Sequence, residues 1–235
     1  LEVVEYLEPK GVQSGAGFGI TGTMHLTFRV NNLWDFYNNL KTKGVNFLSP
    51  PYVLGNGLWK GWLETYIRSP DGGIIGLVGQ PDRAGDPGQL MGIHHITITC
   101  SDLQPMKTLL CRQLGLQILD EVSYNNEDLQ RMAELPDDFI TAAYLQVPGT
   151  KAYIELWQFR TPAGPPARSS HNNIGSGHLC FLVDDMPSDY EKMKNEGVAF
   201  VGPPARVTAG VNQGGYAIYF SGPDGIKFEL FQKPK

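Results

Sequence analysis

An internal repeat constrains the fold of this 235-residue chain more than any other feature of its sequence. Residues 1–77 align with residues 154–230 at a constant offset of 153 positions and without a gap. Identical residues recur along the whole alignment. They include Glu2 with Glu155, Gly22 with Gly175, His25 with His178, Tyr66 with Tyr219 and Pro70 with Pro223. A repeat of this kind indicates a supersecondary unit that the chain uses more than once.

Periodicity within the last copy predicts the elements of one unit. Residues 178–183 alternate as a half-buried strand, and Asp184 and Asp185 can cap a helix that Gly197 ends. Three more strands are predicted over 198–201, 216–220 and 226–231, with a Pro-Asp-Gly turn before the last of them. Each unit is therefore a strand, a helix and three strands.

A more divergent copy lies between the other two, over residues 93–157. It contains an insertion at 125–139, where we expect a short helix over 128–134 whose position suits a lid over a pocket. Linkers rich in glycine and proline, at 79–88 and 160–170, separate the copies.

These boundaries predict two domains. Residues 1–82 form an incomplete N-terminal domain, in which Leu1–Tyr6 is the last strand of one unit and one full unit follows. Residues 91–235 form a C-terminal domain of two units.

Composition and charge exclude several classes of partner. The formal net charge is -5 and lysine and arginine do not cluster, which argues against nucleic acid as a partner. No apolar run approaches the roughly 18 residues of a membrane span, so we expect no membrane partner and a cytoplasmic location. The three cysteines, Cys100, Cys111 and Cys180, lie in apolar patterns and are interpreted as small core residues rather than disulfides.

Four ionisable residues occupy equivalent points of the last two units and are candidate metal ligands. His95 and His178 lie on the first strands, and Glu155 and Glu229 lie in the apolar last strands, where an unpaired carboxylate is costly. A set of two histidines and two carboxylates suits a divalent first-row metal. In the first copy the position of Glu229 is taken by Gly76, so we expect no metal there and no effect of His25→Ala on metal content.

This pattern resembles the vicinal oxygen chelate superfamily, which includes glyoxalase I, methylmalonyl-CoA epimerase, type I extradiol dioxygenases and antibiotic-sequestering resistance proteins. The resemblance covers essentially the whole chain. It implies an α+β fold of tandem βαβββ units that pair into cupped, mixed eight-stranded sheets, with metal ligands on the first and last strands. It also implies that Leu1–Tyr6 ends a unit that begins outside this chain. Two assemblies stay open: a homodimer, or pairing with that preceding unit.

The resemblance implies a divalent-metal-dependent enzyme that chelates vicinal oxygens of a small-molecule substrate. In a glyoxalase-like or epimerase-like lyase or isomerase, Ni, Co, Zn, Mn or Fe(II) stabilises an enediolate or enolate while Glu229 or Glu155 moves the proton. The alternative is an Fe(II) extradiol-type ring-cleaving dioxygenase, with His95, His178 and Glu229 as ligands and Tyr219 as the active-site tyrosine. A second alternative is a metal-free binding or resistance protein.

Overall fold

The structure is a computed structural model. It describes residues 1, 3–13, 17–81, 87–124, 127, 139–161, 167 and 170–234. The chain divides into two compact units: the first joins Leu1–Ser14 to Arg168–Lys235, and the second spans Gly15–Ala167. We call them the terminal unit and the central unit.

The central unit contains two copies of the repeat. Its first copy consists of β1 (Met24–Asn31), α1 (Leu33–Thr42), β2 (Tyr52–Val53), β3 (Leu63–Arg68) and β4 (Ile74–Gly79). Its second copy consists of β5 (Gln89–Cys100), α2 (Leu103–Lys107), β6 (Gln117–Tyr124), β7 (Ile140–Gln146) and β8 (Tyr153–Phe159). A π-helical stretch at Thr108–Gln113 continues α2. The helices begin where side chains accept backbone N–H groups: Asn32 accepts from Asp35, and Asp102 accepts from Gln104.

The two copies form one mixed eight-stranded sheet in the order β2-β3-β4-β1-β5-β8-β7-β6. Their first strands meet in the middle, because β1 pairs with β5 antiparallel, with Leu26 opposite Ile96. Each first strand pairs in parallel with the last strand of its own copy, β1 with β4 and β5 with β8. The predicted fold class is confirmed.

Opposite faces of this sheet have different partners. One face packs against α1 through a small aliphatic cluster of Val30, Leu33, Leu63 and Leu77. The other face, which we call the inner face, carries the cluster of Phe18, Tyr52, Trp59, Tyr66, Ile74, Ile140, Ala142, Tyr144, Trp157 and Phe159. Because side chains alternate along a strand, every second set of paired residues across β1, β5 and β8 points to the inner face, among them His25, Thr97 and Glu155.

The terminal unit contains the last copy of the repeat. It consists of β9 (His178–Leu182), α3 (Met186–Asn195), β10 (Ala205–Arg206), β11 (Tyr216–Ser221) and β12 (Lys227–Gln232), with sheet order β10-β11-β12-β9. Asp185 caps α3 as predicted, since its side chain accepts from Ser188 N–H. One sheet face is apolar, with buried Ile218, Phe220, Phe228 and Leu230.

The arrangement of the copies differs from the predicted domains at 1–82 and 91–235. The structure joins the first copy to the middle copy in one sheet and leaves the last copy in the terminal unit. A repeat in sequence shows which segments are alike, but strand partners are selected by long-range contacts that leave no periodic signal.

Two predicted strands are absent from the described residues that should contain them. Among residues 1 and 3–7 none is in a strand, and Val3 is 90% exposed, so its apolar side chain covers no core. In 198–201 only Phe200 pairs, in an isolated bridge to Phe220. The predicted helix at 128–134 and residue Glu2 lie outside the described residues.

Among the described helices, none is long and apolar enough to cross a membrane.

Candidate functional site

The central unit brings His95 and Glu155 together on the inner face of its sheet. Strands β5 and β8 are parallel neighbours, with His95 opposite Tyr153 and Thr97 opposite Glu155. His95 Nε2 lies 3.4 Å from Glu155 Oε2, and the Thr97 hydroxyl donates to the same oxygen at 3.2 Å. Both side chains are buried, so each is in contact with the other rather than with water.

Two further ionisable side chains share this interior. His25 is buried on β1, and burial followed by the neighbouring His95 lowers its pKa to about 3. Glu64 on β3 is buried as well, and burial followed by the charge of Glu155 raises its pKa to about 8. The Tyr52 hydroxyl donates to Glu64 Oε2 at 2.8 Å. His25 and Glu64 therefore favour their neutral forms in the folded chain near pH 7.

Several polar atoms in this interior have no hydrogen-bond partner among the described residues. Nε2 of His25, Nε2 of His95 and Oγ1 of Thr27 are buried and unbonded. For His95 the contact with Glu155 has the distance of an ion pair but not the geometry of a hydrogen bond. Unbonded nitrogens beside a carboxylate are the donor chemistry that a divalent cation takes.

Aromatic side chains close the space above these residues. The Trp59 indole stacks on the His95 ring with centroids 4.5 Å apart and planes at 18°. Phe18 meets the His25 ring edge-on at 5.5 Å. His95 is therefore only 1% exposed.

His94 lies one position out of phase with His95, and the alternation of the strand predicts a structural residue on the opposite face. In the structure the two rings share a hydrogen bond instead, with Nδ1 atoms 2.8 Å apart. Burial lowers the pKa of His94 to about 3, and the positive charges of His95 and Arg29 lower it by a smaller amount in the same direction. Register shifts in the β1–β5 pairing near this point break the strict alternation on which the prediction depended.

The terminal unit brings His178 and Glu229 together. Strand β9 pairs with β12 in parallel, with His178 opposite Lys227 and Cys180 opposite Glu229. His178 Nε2 lies 3.0 Å from Glu229 Oε2, and their side chains are 27% and 13% exposed. This pair is therefore accessible to solvent, whereas the His95–Glu155 pair is covered.

Tyr219 completes a small polar group on this face of the sheet. It lies opposite Glu229 in the β11–β12 pairing, so the two side chains are neighbours on the same face of the sheet. Burial followed by the charge of Glu229 raises the pKa of Tyr219 above its ordinary value. The Tyr219 ring packs edge-on against the His178 ring at 5.3 Å. We call His171, His178, Tyr219 and Glu229 the open cluster.

The sequence analysis missed two residues of these groups. His171 lies in the linker before β9, and its ring packs against Tyr219 at 5.0 Å and His178 at 6.2 Å. Burial followed by His178 and Lys227 lowers its pKa. The sequence could have identified Glu64, because it is a lone carboxylate in the mostly buried strand Leu63–Arg68. No spacing or strand pattern in the sequence marks His171.

Cys180 was interpreted as a small core residue, but the structure shows it exposed. It lies on the open face of the sheet beside Glu229. Cys100 is buried, as predicted.

The predicted ligands thus form two pairs, one in each unit. Among the described residues, no three histidine, cysteine, aspartate or glutamate side chains stand as a ready metal site. Gly76 lies on β4 opposite Thr27, where a β-carbon would overlap the Thr27 hydroxyl. A glutamate at that position would require Thr27 to shift. His25, assigned from the sequence to a separate degenerate domain, shares the interior of the central unit with His95.

Comparisons with known proteins agree with the fold. The chain is 27% identical over 144 residues to the uncharacterised protein YwkD of Bacillus subtilis (strain 168), covering 61% of this chain and 98% of that protein. It is 24% identical over 153 residues to the 2-epi-5-epi-valiolone epimerase of Actinomyces sp, covering 64% of this chain and 83% of the epimerase.

Among solved structures, glyoxalase I from Zea mays matches with a TM-score of 0.63 and 17% identity. The match covers 97% of this chain and 71% of that protein. The family model of the Glyoxalase/Bleomycin resistance protein/Dioxygenase superfamily matches residues 92–230. This chain, with its βαβββ copies and its mixed eight-stranded sheet, belongs to that superfamily.

Proposed function

We propose that this chain is a divalent-metal-dependent enzyme that moves a proton on a carbon beside a carbonyl group, as glyoxalase-type lyases and epimerases do. The observation that carries the proposal is the open cluster, in which an imidazole nitrogen and a carboxylate oxygen lie 3.0 Å apart and reach solvent. The epimerase among the relatives supports the same class of reaction.

The residues of the open cluster fit a first-row divalent metal. Imidazole suits Zn, Cu, Fe and Ni, while carboxylate adds charge and a hard oxygen. His178 and Glu229 would hold the ion, and a bound ion would draw charge from substrate oxygens and acidify the neighbouring C–H bond.

The side chains of this cluster could then divide the work of proton transfer. A Glu229 carboxylate oxygen accepts the proton from the substrate carbon and returns it. Tyr219 lies opposite that carboxylate on β11, and its raised pKa keeps the hydroxyl protonated as a hydrogen-bond donor. The rings of Tyr219 and His178 pack at 5.3 Å and limit the side-chain freedom of both.

His95 and Glu155 remain predicted metal ligands, which the sequence analysis placed in one site with His178 and Glu229. The unbonded His95 Nε2 beside the Glu155 carboxylate supports a cation in the central unit. We assign the chemistry to His178 and Glu229 because Trp59 covers His95, whereas the His178 side chain is 27% exposed. A substrate can reach only the exposed pair without a rearrangement.

Metal analysis of the purified chain tests this proposal. We expect His178→Ala and Glu229→Gln each to lower the metal content after reconstitution, while Lys194→Ala on α3 leaves it unchanged. The reconstituted chain should exchange a substrate C–H for deuterium from solvent. A wild-type chain that takes up no divalent metal would contradict the proposal and favour the metal-free binding protein.

A second candidate is an Fe(II) ring-cleaving dioxygenase. Tyr219, which packs against His178 and lies opposite Glu229, favours it, because a tyrosine beside a His–carboxylate metal pair can position a phenolic substrate. Oxygen-sensitive iron with catechol cleavage would identify this activity. Turnover with Ni, Co, Zn or Mn and deuterium exchange would identify the proton-transfer activity.

A further inference from the structure

The sheet of the terminal unit ends on an open edge. Its strand order is β10-β11-β12-β9, so β9 pairs with β12 on one side and with no other strand of the described residues on its second side. We propose that this second side is the contact between two identical chains. The β9 strands of the two chains pair antiparallel and join two four-stranded sheets into one sheet of eight strands. This inference is independent of the proposed function, because it involves no metal.

The repeat provides the precedent for this pairing. Strand β9 corresponds to β1 at the offset of 153 positions, with His178 in the place of His25. In the central unit β1 pairs with β4 on one side and antiparallel with β5 on the other, and β5 is the first strand of another copy of the repeat. First strands of this repeat therefore associate edge to edge. Among the described strands, β9 is the only first strand whose edge lacks such a neighbour.

The register between β1 and β5 is nearly twofold symmetric at its centre. Leu26 lies opposite Ile96, and each of these residues directly follows a histidine of its strand. Two identical strands can form such a pair, because equivalent residues then face each other across a twofold axis. The same register on β9 places Leu179 opposite Leu179 of the second chain.

Three rings beside β1 show how this edge is buried when a neighbour is present. Their centroids lie 4.8–5.5 Å apart, and they belong to Phe18, His25 and Tyr66. All three residues are buried. Trp157 on the adjoining copy of the repeat helps to cover them, since its ring lies 5.4 Å from the His25 ring and 5.9 Å from the Phe18 ring.

The corresponding three rings beside β9 pack in the same way but are not buried. At the offset of 153 positions they are His171, His178 and Tyr219, with centroids 5.0–6.2 Å apart. His171 is exposed, and the other two residues are half-buried. A single chain therefore leaves open in the terminal unit what the paired copies bury in the central unit.

The sequence of β9 has none of the usual protection of a sheet edge. The strand reads His-Leu-Cys-Phe-Leu over 178–182, without lysine or proline, and its pairing with β12 is regular. Cys180 is exposed although its counterpart Thr27 is fully buried, and Leu182 is 63% exposed. Lysine, proline and bulges are the devices that keep edge strands from pairing, so an apolar edge without them favours association.

A dimer of this kind leaves the open cluster accessible. In the central unit Trp59, from one copy of the repeat, stacks on His95 of the other copy. At the offset of 153 positions the place of Trp59 is taken by Asn212. A second chain therefore brings a small amide side chain toward His178 instead of an indole, and a substrate still reaches the site.

Sedimentation velocity of the metal-free chain over micromolar concentrations tests the inference, and we expect the wild type to dimerise. The register places Cys180 opposite His178 of the second chain, so Cys180→Lys brings like charges together across the pair and should weaken dimerisation at least about ten-fold. Val201→Lys is the matched control, because Val201 is 69% exposed and its N–H donates to Tyr219 O beside β11, away from β9. Circular-dichroism melting checks that both variants fold.

An interchain disulfide identifies the strand pair itself. Directly opposed residues of an antiparallel pair have Cα atoms about 4.5–5.5 Å apart, a distance that a disulfide can span. We expect Leu179→Cys, in a Cys180→Ser background, to yield a disulfide-linked dimer under mild oxidation. Val201→Cys in the same background should yield none.

A wild-type chain that stays monomeric at every concentration overturns the inference and assigns the open edge to a different partner. A dimer that Cys180→Lys leaves as tight as the wild type overturns it as well, because the contact then lies elsewhere on the chain. The same conclusion follows if Leu179→Cys forms no more interchain disulfide than Val201→Cys.

Discussion

At the scale of single residues, two His–Glu pairs at equivalent repeat positions have opposite surroundings. His95 is 1% exposed beneath the stacked Trp59 indole, whereas the His178 side chain is 27% exposed. The residue types are the same in both, and each histidine lies opposite the residue two positions before its glutamate. Chemical accessibility is therefore decided by neighbours from other strands and loops.

This difference predicts which histidines react with diethyl pyrocarbonate. In the native chain we expect His171 and His178 to be modified, and His25 and His95 to be protected, as measured by peptide mass spectrometry. Trp59→Ala should expose His95 and speed its modification, at a cost of about 3–5 kcal/mol in the free energy of unfolding. Equal rates at His95 and His178 in the wild type would contradict the covered position of His95.

At the scale of elements, strand β4 shows how packing removes a ligand position. Gly76 lies opposite Thr27 on β1, and a β-carbon at 76 would meet the Thr27 hydroxyl. The two strands can approach with this register because glycine has no side chain. The glycine at position 76 therefore both removes a candidate ligand and permits the close contact between β4 and β1.

Substituting the two strand residues together tests that contact. Gly76→Ala should destabilise the chain by about 1–3 kcal/mol through overpacking. Thr27→Ala removes the overlapping hydroxyl, so the double variant should recover part of that loss, which gives a favourable coupling energy in a double-mutant cycle from urea unfolding. Strict additivity of the two changes would show that the residues do not interact.

At the scale of the whole molecule, buried ionisable groups couple stability to pH. His25 and His94 have pKa values lowered to about 3, so below pH 6.5 these two histidines bind protons in the unfolded chain but not in the folded chain. Glu64 has its pKa raised to about 8 from 4.5, so between these values the folded chain keeps a proton that the unfolded chain releases. The first effect lowers stability as pH falls, and the second lowers it as pH rises.

The balance predicts maximal stability of the metal-free chain near pH 6.5. Between pH 4.5 and 6.5 the two histidines outweigh the single glutamate, so stability rises with pH. Above pH 6.5 only the glutamate acts, and stability falls until about pH 8. Urea midpoints across this range measure the curve, and Glu64→Gln should flatten its alkaline side and steepen the rise between pH 4.5 and 6.5.

Sequence alone determined the repeat, the βαβββ unit and the histidine and glutamate positions, because each leaves a local signal of spacing, periodicity or residue type. It placed these residues on the first and last strands of two units, whereas the structure shows that those strands pair in parallel and bring His178 to Glu229 and His95 to Glu155. Only the tertiary structure decided which copies of the repeat share a sheet. It also decided that Trp59 covers His95, that Glu64 is buried and that His171 lies beside Tyr219. These depend on contacts between residues far apart in the chain, and such contacts leave no pattern along the sequence.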